Sequence, residues 1–213
     1  MAAVFRALVL GLCTFAVGSP ARAADPRKTE LGADLGYAFP AGGLERGSAL
    51  SDVTFGAARL GLDGAYRLHS LFSVGAAISY GIVIPTLCNT GGDCTSSFGS
   101  DLALGVLGRW HVGTWGFFEP ALDLKLGYEW FSAKHSDSDV VSSRSFRGFQ
   151  AAVRGDGQFR LSRVFSLGPF VDLSVGIFSK ARLEAPGIDR ARDVAGSAAH
   201  LWIALGARAL ASW

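Results

Sequence analysis

Residues 198–213 read Ala-Ala-His-Leu-Trp-Ile-Ala-Leu-Gly-Ala-Arg-Ala-Leu-Ala-Ser-Trp. Counting back by twos from Trp213 gives Ala211, Ala209, Ala207, Leu205, Ile203 and Leu201, all uncharged, while the other parity carries Ser212, Arg208 and His200. A period of two is a β-strand with two chemically different faces. The stretch exceeds the roughly 9 to 11 residues that a tilted strand needs to cross a bilayer.

Working outward, the same alternation recurs seven more times. The first strand, about 29–39, sets Leu31, Ala33, Leu35, Tyr37 and Phe39 against Glu30, Gly32, Asp34 and Gly36. Strands follow at about 53–67, 71–84, 101–111, 117–131, 148–161 and 165–178, each with one apolar parity free of charge. Phe118, Leu122, Leu124, Leu126, Tyr128 and Trp130, for example, oppose Glu119, Asp123, Lys125 and Glu129. The connections alternate in length. Short turns are expected at His69-Ser70, Gly113–Gly116 and Ser162-Arg163, and long polar loops at Pro40–Asp52, around Cys88, at Ser132–Phe146 and from Phe178 to Ser197. Short turns on one side and long loops on the other are the layout of a bacterial barrel with periplasmic turns and external loops.

A chain whose last strand alternates and stops on an aromatic resembles the outer-membrane β-barrel proteins of Gram-negative bacteria, in particular the OmpA/OmpX-like small barrels. Trp213, Ala211, Ala209, Ala207 and Leu205 occupy the matching positions. The resemblance implies an all-β, eight-stranded, antiparallel up-and-down transmembrane barrel spanning residues 24–213, in which the last strand pairs with the first. It also implies that Trp213 is the signal read by the barrel-assembly machinery. Outer-membrane lipid and lipopolysaccharide are the implied surroundings, with an unidentified external ligand on the loops. The peptidoglycan-binding domain of the larger relatives is not expected.

Alternation alone fits a soluble lipocalin-like barrel as well, and the charges distinguish the two. The polar parity carries nine acids, Glu30, Asp34, Asp63, Asp101, Glu119, Asp123, Glu129, Asp156 and Asp172, and seven bases, Arg59, Arg67, Arg109, Lys125, Arg154, Arg160 and Arg208, among Gly, Ala and Ser. Small residues with near-balanced charge suit a narrow interior, and charged residues make up only 18% of the chain. Tyr37, Tyr66, Tyr80, Trp110, Tyr128 and Trp130 on the apolar parity suit the membrane interfaces. Eight strands leave a bore just wide enough for side chains, so these charges are expected to pair across the lumen and close it.

Arg6, the apolar run Ala7–Val17 and Ala21-Arg22-Ala23 have the layout of a cleaved signal peptide, residues 1–23. Its removal leaves 18 basic against 18 acidic residues, so charge indicates no nucleic-acid or other anionic partner. Of the remaining cysteines, Cys88 and Cys94 flank a short Gly-containing loop, and export points to a disulfide.

No catalytic, cofactor or metal residues are expected. A lipid A-modifying enzyme, the alternative function, needs a serine and a histidine within hydrogen-bond reach. His69-Ser70 and His135-Ser136 are sequence neighbours that strand alternation turns to opposite faces, His200 has no serine two residues away, and His111 sits at a turn. The loop Lys134–Asp139 offers hard oxygen ligands for a cation but reads as a solvated surface. The bases of the last loop, Lys180, Arg182, Arg190 and Arg192, are interleaved with Glu184, Asp189 and Asp193, which weakens any phosphate site there. The expected function is structural or interactive.

Overall fold

Each alternating stretch pairs with its neighbour in sequence, as hairpins joined by short turns must. The computed structural model describes residues 28–45, 48–85, 98–137, 140–186, 188–194 and 199–213. The expected signal peptide, residues 1–23, and Cys88 and Cys94 lie outside them. The strands are β1 (Thr29–Glu45), β2 (Ser48–Ala49), β3 (Thr54–His69), β4 (Phe72–Pro85), β5 (Phe98–His111), β6 (Phe118–Asp137), β7 (Val140–Arg160), β8 (Phe165–Ala185), β9 (Ile188–Asp193) and β10 (Ala199–Ser212). Eight of them form an antiparallel ring, β1, β3 to β8 and β10.

The closing strand seals that ring. It pairs with β1 from Glu30↔Ser212 to Gly42↔His200 and with β8 from Ala199↔Ile177 to Ala211↔Phe165. Closure leaves no open edge in the ring, as a sheet inside a bilayer requires. Trp213 itself is pinned: its carbonyl accepts from the Lys28 and Thr29 N–H groups at 2.8 and 2.9 Å, and its N–H donates to the Thr29 carbonyl.

The short turns fall where the sequence places them. In the turn between β5 and β6, Gly116 has φ of 66°, a left-handed conformation that glycine adopts without strain, and Trp115 and Phe118 exchange backbone hydrogen bonds across it. Between β7 and β8 the Ser162 hydroxyl accepts from the Val164 and Phe165 N–H groups.

Three expected loops differ. Pro40 does not end the first strand, because β1 continues to Glu45. Within Ser132–Phe146, residues 132–137 and 140–146 are the paired ends of β6 and β7, in register from Ser132↔Ser145 to Asp137↔Val140. The stretch Phe178–Ser197 likewise continues β8 to Ala185 and adds β9, paired from Lys180↔Asp193 to Ala185↔Ile188. Polar sequence on both faces reads as loop, yet backbone pairing runs on past the alternating apolar stretch. From Phe131 to Asp137 the sheet rises about 20 Å further at the strand repeat. The cation reading at Lys134–Asp139 falls mainly on residues whose side chains lie outside the described set.

Exposure follows the parities. Leu35 is 65% exposed, Val106 64% and Phe149 72%, whereas Arg109, Asp123 and Arg208 are at 0%. This is the inverse of a soluble barrel: the apolar face is outside and the charges are inside. The lipocalin alternative is therefore excluded by the direction of the side chains.

Candidate functional site: the lumen and its external mouth

All sixteen charged residues expected in the lumen face inward, and the structure gives each a partner across it. Arg109 and Arg208 are the hubs. Arg109 binds Glu30 at 2.8 Å, Asp63 at 2.8 Å and Asp123 at 2.8 Å; Arg208 binds Asp63 at 2.7 Å, Asp123 at 3.1 Å and Asp156. Five planar N–H donors let one guanidinium serve several carboxylates, which a lysine cannot do with the same geometry. Above them Arg154 joins Asp34 at 2.7 Å to Asp172 at 3.1 Å and lies 4.5 Å over the Phe170 ring, while Lys125 reaches Asp172 at 2.9 Å. Arg59 pairs with Asp101 at 2.6 Å. At the periplasmic rim Arg67 binds Glu30 and Arg160 binds Glu119.

Glycine on the lumen parity makes room for these pairs. A Cβ on Gly32 would come within 2.5 Å of the Arg208 guanidinium and 2.6 Å of the Asp63 carboxylate. One on Gly61 would come equally close to Asp34. Small residues therefore occur opposite large ions because the bore cannot hold both.

Two histidines that sequence reasoning set aside belong to this lumen. His200 Nε2 lies 2.7 Å from Glu129, whose other oxygen accepts from the Trp202 indole at 3.1 Å. At the other end His111 Nε2 is 3.0 Å from Glu30 and 3.0 Å from the Ser73 hydroxyl. A signal existed in the sequence: nine acids face seven bases, and both histidines sit on the lumen parity. Ser73, His111 and Glu30 do not form a nucleophile triad. Serine and glutamate meet the same ring nitrogen, so the glutamate cannot orient the imidazole from the opposite side, and Arg67 lies against both ring nitrogens at 3.2 and 3.3 Å.

The external mouth is closed differently. Phe131, Phe146, Phe178 and Trp202 form a tilted aromatic cluster with centroids 5.5 to 6.4 Å apart, and Phe178 stacks on His200 at 4.1 Å. Leu44 and Leu50, from the tip of β1 and the short helical turn at Leu50–Asp52, fold inward onto it and are buried. Strand parity puts Trp202 in the lumen with Arg208 and His200, but no single stretch of sequence shows this plug, because its members come from β1, β6, β7, β8 and β10. Among the ion pairs remains a cavity of about 40 Å³ bounded by Gly61, Ser79, Gly105, Lys125, Gln150 and Arg154 among others. That is room for a few water molecules at roughly 10–15 Å³ each. Asp34 Oδ1, Gln150 Nε2 and Ser174 Oγ, which have no protein partner among the described residues, line it.

No family model matches the chain, and no curated protein matches it. Solved structures do. A neisserial surface protein, NspA, superimposes with a TM-score of 0.56 at 10% identity, over 87% of this chain and 97% of that one. A major outer membrane protein of Thermus thermophilus gives 0.53 at 14% identity, over 85% and 99%. The chain has the fold of the small outer-membrane β-barrels. For a barrel of this kind the exposed apolar belt is the lipid face, so the protein is an integral outer-membrane barrel. Two aromatic groups mark the belt's limits: Tyr37, Tyr80, Tyr128 and Trp130 near the plug, and Tyr66, Trp110, Phe159 and Trp213 near the turns.

Proposed function

We propose that this barrel is a sealed membrane scaffold, with a structural or interaction role, that presents its external hairpins to partners outside the cell. The observation that carries this is the doubly closed lumen: buried ion pairs through its length and an apolar plug at its external mouth. A cavity of about 40 Å³ is no pathway for a solute. The surroundings are outer-membrane lipid and lipopolysaccharide, delivery is by the barrel-assembly machinery reading Trp213, and the ligand is bound by the hairpins. An acyl-modifying activity finds no support in the Ser73, His111 and Glu30 cluster, whose geometry is wrong for it. Planar bilayer recording of the purified barrel tests the reading. No stable conductance is expected; porin-sized steps would overturn it.

The remaining assignments belong to the same reading. Residues 1–23 are removed on export, so the mature N-terminus is expected at Ala24. Cys88 and Cys94 form a disulfide in the segment between β4 and β5, worth about 2 kcal/mol for so short a loop. Mass spectrometry of the native protein tests both: alkylation of either cysteine without reductant would refute the bond.

A further inference from the structure

The stretch from Lys180 to Asp193 interleaves bases with acids, and in a loop those charges would cancel. Paired as β8 and β9, alternation instead sorts them onto two faces. The register defines the faces: Phe146 pairs with Ala181 and Ala181 with Arg192, and Arg144 pairs with Leu183 and Leu183 with Arg190. Phe146 and Ala181 are buried in the plug and Val194 packs against it, so this face looks toward the barrel axis above the mouth. Arg144, Arg190 and Arg192 stand on it, all exposed.

The acids stand on the opposite, outward face. There Arg182 makes a two-pronged bond to Asp189 at 2.9 and 2.7 Å and reaches Glu184 at 2.9 Å, with Asp193 opposite Lys180. Hydrogen bonding from Arg182 pulls the Asp189 carboxyl below its usual range. Neither Arg144 nor Arg190 has a carboxylate partner among the described residues. Charge on an edge strand discourages unwanted pairing, which would explain Arg190 on β9. It does not explain Arg144, because β7 lies inside the sheet between β6 and β8.

We propose that this concave face binds an external sulfated glycan, with Arg144 and Arg190 gripping sulfate groups and Leu183 between them lying against a sugar ring. The proposal deepens the interaction reading above and rests on it. Arg144 and Arg190 are two strand intervals apart, about 10 Å, a spacing suited to charges repeated along an extended chain. The guanidinium fork matches tetrahedral oxyanions with paired hydrogen bonds. Lipid phosphates are the wrong source, since this face looks toward the barrel axis above the mouth, away from the surrounding lipid, and the outward face carries Glu184, Asp189 and Asp193.

The test is binding of the intact barrel in nanodiscs to immobilised heparin, with neutral dextran and poly-glutamate as comparison surfaces. Wild type is expected to bind heparin with affinity falling steeply as salt rises, and to bind the other two weakly. The Arg144→Ser/Arg190→Ser variant should lose about tenfold or more in affinity, while Arg147→Ser/Lys180→Ser, on the outward face, stays within about twofold of wild type. Heat-modifiable mobility of each variant verifies that the barrel is folded. Absence of heparin binding by wild type at low salt, equal binding by the Arg144/Arg190 variant, an equal loss in the outward-face variant, or poly-glutamate held as tightly as heparin would each overturn the proposal. Such a failure with a silent bilayer recording leaves the sealed scaffold standing, whereas conductance overturns the scaffold itself.

Discussion

Arg109 and Arg208 share Asp63 and Asp123, so removing either guanidinium leaves buried carboxylates without a counter-charge. Arg109→Met is expected to cost about 3–5 kcal/mol, the range for breaking a buried pair from one side, read as a lower urea midpoint for the barrel in lipid vesicles. An unchanged midpoint would mean that the lumen charges are hydrated and independent. Gly32→Val should cost about 1–3 kcal/mol by forcing Arg208 and Asp63 aside, by the same measurement. That these residues face inward was legible in the sequence, because strand parity assigns a face to every position. Their partners were not. Glu30 meets Arg109 across 79 positions, and only the closed ring brings them together. The partners of His111 and His200 were not legible either, because Ser73, Glu30 and Glu129 lie on other strands and the turn-like position of His111 hides that it ends β5 facing the lumen.

At the scale of elements, the eight ring strands were readable wherever lipid lies on one side and charge on the other, since both impose the same period. Beyond the membrane that pressure ends. The tips of β6 to β9 have water on their outward face and polar residues on both, and their sequence has the composition of a loop although the backbone stays paired. Composition there reports solvent, not hydrogen bonding. The closing strand carries its own prediction. Its outward parity is mostly alanine, so the aromatic ring at its end supplies much of the anchoring at the periplasmic interface. Trp213→Ala is expected to reduce the amount of protease-resistant, heat-modifiable barrel in the membrane. Trp202→Ala should assemble but unfold more readily, because Trp202 is fully buried in the plug and loss of its ring costs about 3–5 kcal/mol. Equal assembly of wild type and the Trp213 variant would remove that residue's role as a signal.

The whole molecule is an inside-out arrangement: ions packed in the bore, apolar side chains on the exterior, aromatic groups at both limits of the belt, and a sheet standing above the outer surface. The belt and the ionic lumen depend on each other, because charge can be removed from the exterior only if the interior has room for it, and the interior has room only if glycine and alanine line much of it. The central claim is that the alternate residues of each strand face lipid. Nitroxide labels placed one at a time from Leu167 to Ile177 on β8, in the barrel reconstituted into liposomes, test this most directly through collision with oxygen and with a water-soluble nickel chelate. The account predicts high oxygen and low nickel accessibility at Leu167, Val171, Leu173, Val175 and Ile177, with both low at Phe170, Asp172, Ser174 and Gly176. Nickel accessibility at the first set equal to that of a label in free water would contradict it.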